Sequence, residues 1–223
     1  TELRTSREQL KNDMELYRVW LLRQRHFTRE EFKPNHNFTD WQARYLKDHP
    51  DYFGMDPVYG IKELGYRGLR AGVKASRVKL CLSNPAVMDQ IMANWREDGR
   101  PEFLNICQND GTPGFCHCEN CLKLDVRAEG EDFYANLTDR HLWFANRMAE
   151  RLMRERPDGK IVAFIYSWYR KPARRERIEY PKNMWFSVVP TFYDDIHDFW
   201  DQWKRLGLET ALLRPNFLCY SGA

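Results

Sequence analysis

The sequence predicts an α/β fold, a partial (β/α)8 TIM-type barrel, and three observations predict it. Helical stripes and short apolar strands alternate along the 223 residues, the pattern of a mainly parallel sheet covered by helices. Connections from helix to strand are bland, whereas those from strand to helix are long and rich in polar and aromatic residues. No glycine-rich phosphate loop follows any strand, which places a barrel above a nucleotide-binding doubly wound sheet.

In chain order, Leu3, Leu10, Met14 and Tyr17 mark a helix, and Val19-Trp20-Leu21-Leu22 reads as a buried strand. Residues 26–82 form a long insertion. Its His-Pro and Asp-Pro steps and several glycines suit loops with a hairpin rather than a long helix. Ser83-Asn84-Pro85 then starts a helix, with Asn84 as N-cap and Pro85 in the first turn. Val87, Met88, Ile91, Met92 and Trp95 supply its apolar face, and Asp98-Gly99 stops it. A strand follows over 103–107. Leu137, His141, Phe144, Met148 and Leu152 mark a long amphipathic helix, ended at Asp158-Gly159 before a strand over 161–166. The next connection, 166–184, lacks a helical stripe. A strand over 184–189 leads to Ile196, Phe199, Trp200, Trp203 and Leu206 on one more helix, closed by Gly207. Residues 210–213 are the last strand. Both ends read as cuts. The expectation is therefore that residues 1–223 are the central portion of a longer barrel, whose other strands belong to the same polypeptide.

Composition narrows the function. With 43% hydrophobic residues the chain can bury a substantial core, and a net charge of +3 is too small for a nucleic-acid binder. No run reaches the roughly 18 apolar residues of a membrane span. Aromatic residues make up 14% of the chain, and flat rings suit sugar faces as well as cores.

The strand-to-helix segments carry the candidate chemistry. Asn109-Asp110 follows the 103–107 strand. Asp110 suits a general acid whose pKa its aromatic surroundings would raise, and the competing reading is an Asn-Asp-Gly turn. Asp194 and Asp195 follow the 184–189 strand. Either could pair with Asp110 across a sugar, although one of the two suits the N-cap of the next helix. Asn109, His36, Asn37, Tyr166, Trp168, Tyr193, Arg214 and Asn216 are the candidate substrate contacts. His49 is a second loop histidine, and His141 reads as a core residue. The Arg170-Lys171-Pro172-Ala173-Arg174-Arg175-Glu176-Arg177 run reads first as a solvated loop and second as a rim for acidic sugars.

Three of the six cysteines form Cys116-His117-Cys118-Glu119-Asn120-Cys121. They suit a structural zinc, with His117 or a distant residue as fourth ligand, or a disulfide such as Cys116 to Cys121. Either way the cluster is a staple, and no cofactor is expected for catalysis. Cys81, Cys107 and Cys219 read as buried small hydrophobes.

His49-Pro50-Asp51-Tyr52-Phe53, Leu80-Cys81-Leu82-Ser83-Asn84-Pro85, Gln108-Asn109-Asp110-Gly111 and the cysteine loop together resemble the DUF4838 family. These are large, usually secreted bacterial proteins similar to family 67 α-glucuronidases. The resemblance implies a (β/α)8 barrel, secreted or periplasmic, acting on polysaccharide or its fragments, with carbohydrate as the partner. It places Asp110 at the end of a fourth strand as acid, and Asp194 or Asp195 after the sixth as base. Retaining barrel glycosidases often carry a Glu after strand seven. Here that segment is Leu213-Arg214-Pro215-Asn216-Phe217, with no carboxylate, so inversion or a non-catalytic carbohydrate-binding barrel is expected. A zinc-stabilised interaction domain is the third reading.

Overall fold

The structure, a computed structural model, describes residues 34–190 and 195–214. The expected helix and strand before residue 26, together with Tyr193, Asp194, Asn216 and Cys219, lie outside the described residues.

Mixed α/β architecture is observed. The strands are β1 (Phe103–Asn105), β2 (Lys160–Ile165), β3 (Met184–Val188) and β4 (Thr210–Leu213). They form one sheet in sequential order, and every neighbouring pair is parallel. The helices are α1 (Trp41–Tyr45), α2 (Pro85–Glu97), α3 (Glu119–Leu124), α4 (Thr138–Glu155) and α5 (Ile196–Arg205).

Local chemistry explains the boundaries. The Asn84 side chain accepts from the Ala86 N–H at 3.0 Å, Pro85 sits in the first turn, and Gly99 at φ +83 ends α2. Val87, Met88, Ile91, Met92 and Trp95 are buried along one face. Each contributes about 1.5–3 kcal/mol by leaving water. Asp195 caps α5 by accepting from the N–H groups of His197 and Asp198 at 2.9 and 3.2 Å. The cap reading therefore holds for Asp195, whose carboxylate serves the helix.

The expected insertion is loops, as its composition implied, but it holds no regular hairpin among its described residues. It contains α1, three single 3-10 turns and isolated antiparallel bridges at Phe53–Leu80, Met55–Arg67 and Ile61–Arg67. Phe38, Trp41, Phe53, Leu69, Val78 and Leu80 join the same core as α2, α4 and the sheet.

The connection from β2 to β3 has no α-helix, and α4 supplies the partners its backbone needs. Buried Asp139 accepts from the N–H groups of Arg174, Arg175 and Glu176 at 3.0, 2.8 and 2.9 Å. The Thr138 hydroxyl donates to the Lys171 carbonyl, and Asn146 bonds both Arg177 and Glu179. Arg174 pairs with Glu131, and Arg175 donates to the Leu124 carbonyl and Glu176. These arginines are engaged within the domain, in line with the loop reading of the run.

Candidate functional site

In a parallel sheet the segments after the strands converge at one edge, and that edge carries the site. The β1 chain continues into Gln108-Asn109-Asp110, and the β2 chain into Tyr166. The Tyr166 hydroxyl donates to Asp110 Oδ1 at 2.9 Å. Beside them His36 Nδ1 lies 2.7 Å from the Gln108 carbonyl oxygen, and its ring meets the edge of Phe164 at 5.4 Å. Arg214, just past β4, places its guanidinium 5.6 Å from the Phe164 ring centre and donates to the Pro34 carbonyl at 2.9 Å. Asp110, Tyr166, His36 and Arg214, chosen from four separate segments, thus surround one part of the sheet edge.

Asp110 is exposed, and its ionisation runs against the raised pKa expected of a general acid. Burial alone would push the carboxyl up. The Tyr166 hydroxyl, the Gly111 N–H and the charges of His36 and Lys79 outweigh it and hold Asp110 below its ordinary value. Asp110 is a carboxylate at neutral pH.

Behind the carboxylate sits Lys79, only 2% exposed. Its ammonium donates to the carbonyls of Asp110, Gly111 and Arg77 at 2.8, 2.9 and 3.0 Å. A fourth carbonyl, that of Pro113, lies at 3.5 Å, so the turn that presents Asp110 is clamped from inside. Burial also draws Lys79 down to about 7. Nothing in the local sequence distinguishes it from a surface lysine, and only the tertiary fold places it there.

The remaining candidates divide. Asn109 is buried. Its amide accepts from the Phe38 N–H at 3.1 Å and donates to the Val78 carbonyl at 2.9 Å, which gives it a structural role in place of the expected substrate contact. Asn37 donates to the Asn105 carbonyl at 2.8 Å and ties residues 34–38 to β1. Trp168 is 39% exposed and its ring lies 5.3 Å from that of Tyr134. His49 stacks on Tyr52 at 4.5 Å. His141, expected in the core, is half-buried on α4. It stacks on Tyr169 at 3.9 Å, and burial lowers its pKa to about 3, so it is neutral.

The cysteine cluster has four members rather than three. Cys81, expected to be a small hydrophobe, lies with Cys116, Cys118 and Cys121, all sulfurs within 4.8 Å of one another, a group that could hold a metal ion. Its sulfur is 3.7 Å from those of Cys116 and Cys118 and 3.9 Å from that of Cys121. All four are free thiols, so the disulfide alternative is not realised. His117 is not the fourth member, since its Nδ1 lies against the Phe115 and Met55 carbonyls at 3.0 and 3.2 Å. Cys118 caps α3 and Cys121 lies within it. Cys81 follows the Phe53–Leu80 bridge. A cluster of three at short spacing signals a missing fourth ligand, but a lone cysteine 35 residues upstream offers no spacing by which to find it.

The model of a domain of unknown function, DUF4838, matches residues 4–199. The chain belongs to the DUF4838 family. No curated protein and no solved structure matches it. In this DUF4838 chain no helix of the described residues is long and apolar enough to cross a membrane.

Proposed function

We propose that this DUF4838 domain is a segment of a glycoside hydrolase-like (β/α) barrel that processes polysaccharide or oligosaccharide containing uronic acid, outside the cytoplasm. The observation that carries the reading is the Asp110 carboxylate, held ionised by the Tyr166 hydroxyl at the C-terminal edge of adjacent parallel strands. The sequential strand order supports a barrel arc, because a doubly wound sheet reverses its order at the ligand crevice. Arg214 and His36 add donors suited to a sugar carboxylate.

The ionised state suits Asp110 to the base's part in an inverting reaction. It takes a proton from water, the water oxygen bonds the anomeric carbon, and the glycosidic C–O bond breaks. The leaving oxygen takes its proton from a second carboxyl group. Asp194 is the candidate for that acid. The cysteine cluster takes no part in this chemistry and holds a structural zinc ion.

The test is turnover of a panel of neutral and uronic-acid oligosaccharides by the wild type and by Tyr166→Phe. Wild-type turnover is expected, with an acidic limb below the ordinary aspartate range, because activity is lost only as pH falls through the depressed Asp110 value. Removing the phenol weakens the charged form, so the limb moves to higher pH in Tyr166→Phe. Binding without turnover across the whole panel would replace hydrolysis with a carbohydrate-binding role.

A further inference from the structure

We infer that Cys81, Cys116, Cys118 and Cys121 are the complete ligand set of a closed tetrathiolate zinc site that pins the chain ahead of α2 to the loop after β1. This takes up the structural zinc of the preceding reading and assigns its ligands, outer shell and task. It is independent of the Asp110 chemistry, and each can fail without the other.

The spacing of the sulfurs carries the inference. Zinc–thiolate bonds of about 2.3 Å in a tetrahedron set sulfur–sulfur edges of about 3.8 Å. The separations from Cys81 are 3.7, 3.7 and 3.9 Å. A multi-iron cluster, with sulfide at its centre, needs its cysteines much farther apart. Four thiolates also fill the shell, so no position is open for a substrate, as in structural rather than catalytic zinc sites.

The surroundings are built for the charge. Four thiolates on a divalent ion carry a net negative charge inside the protein, which needs compensation. The Arg67 guanidinium lines the same recess as Cys81, Ser83 and Cys118. Buried Arg140 donates to the Cys116 carbonyl at 2.7 Å. The Met55 and Cys118 N–H groups point at Cys116 Sγ at 3.3 and 3.5 Å. The Ser83 hydroxyl lies 3.1 Å from Cys121 Sγ and 3.7 Å from Cys118 Sγ. On binding, the thiol protons leave to solvent and no electron moves.

The position of the site gives its task. Gly54 lets the two segments touch, since a Cβ there would sit 2.0 Å from the Gly114 carbonyl oxygen. Cys81 lies two residues past Lys79, whose ammonium clamps the Asp110 turn, and Cys116 closes the same loop five residues after Gly111. The ion thus fixes the far end of the loop whose middle Lys79 holds.

Metal analysis of the wild type, purified without chelator, is the test. One zinc per chain is expected, with the four thiols protected from a thiol reagent until chelator is added. Ser83→Ala should weaken zinc binding by about 10-fold as an outer-shell change, and Cys81→Ser by more. Should Cys81→Ser fail to fold, cobalt(II) added to the metal-stripped wild type should give the absorption of a tetrahedral tetrathiolate. Zinc well below one equivalent, iron in its place, a cobalt spectrum of other geometry, or a disulfide between any two of the four would overturn the assignment.

Discussion

Asp110→Asn is expected to lower kcat on the best oligosaccharide by about 10²–10⁴-fold, the usual contribution of a positioned acid or base, while leaving sugar affinity within a few-fold. Asparagine keeps the size of the side chain and still accepts from Tyr166, so the fold and the binding surface survive. What it loses is the negative charge that would take the proton from water in the proposed reaction. Asp195→Asn is the matched control. Its carboxylate caps α5 through the His197 and Asp198 N–H groups, and asparagine caps a helix as well as aspartate does. Rate and stability should both stay unchanged. A full-rate Asp110→Asn enzyme would remove Asp110 from the mechanism, and a slow Asp195→Asn enzyme would contradict the division of roles.

Arg140→Met is expected to destabilise the domain by about 3–5 kcal/mol, the range for removing one partner of a buried ion pair. Both side chains of the Arg140–Asp125 pair are 1% exposed, and their closest contact is 2.5 Å. The guanidinium also holds the Cys116 carbonyl at 2.7 Å. Truncation leaves the Asp125 charge in a dry environment with Arg127 as its remaining partner, which favours the lower end of the range. The double variant Arg140→Met with Asp125→Asn should be more stable than the single one, because no unpaired charge stays buried. Urea unfolding monitored by tryptophan fluorescence measures both. A single-variant loss under 1 kcal/mol would show that the pair does not organise this region.

The legible part of the fold was the part written in local chemistry. Asn84-Pro85 started α2, the apolar stripe from Leu137 to Leu152 gave α4, Gly207 at φ +98 closed α5, and residues 210–213 became β4. Two features failed for a shared reason, that their signal is tertiary. Cys81 has no cysteine neighbour in sequence, and Lys79 resembles any surface lysine until carbonyls from two loops are brought to its ammonium. Asn109 misled because a polar residue past a strand end suits a ligand contact equally with a buried brace. The ionisation of Asp110 runs opposite to its sequence expectation. Aromatic neighbours suggest desolvation, whereas here one of them, Tyr166, donates a hydrogen bond to the anion. The absence of a helical stripe between β2 and β3 was legible, but not what partners its backbone instead, the Asp139, Thr138 and Asn146 side chains of α4.

The proposed function requires the strand ends carrying Asp110 and Tyr166 to receive a sugar. A titration of the labelled wild type with a uronic-acid oligosaccharide, followed by backbone amide chemical shifts, tests it most directly. Saturable shifts are expected, centred on His36, Asp110 and Tyr166, with a weaker effect reaching Arg214. Shifts confined to another face of the domain, or none at saturating sugar, would contradict it.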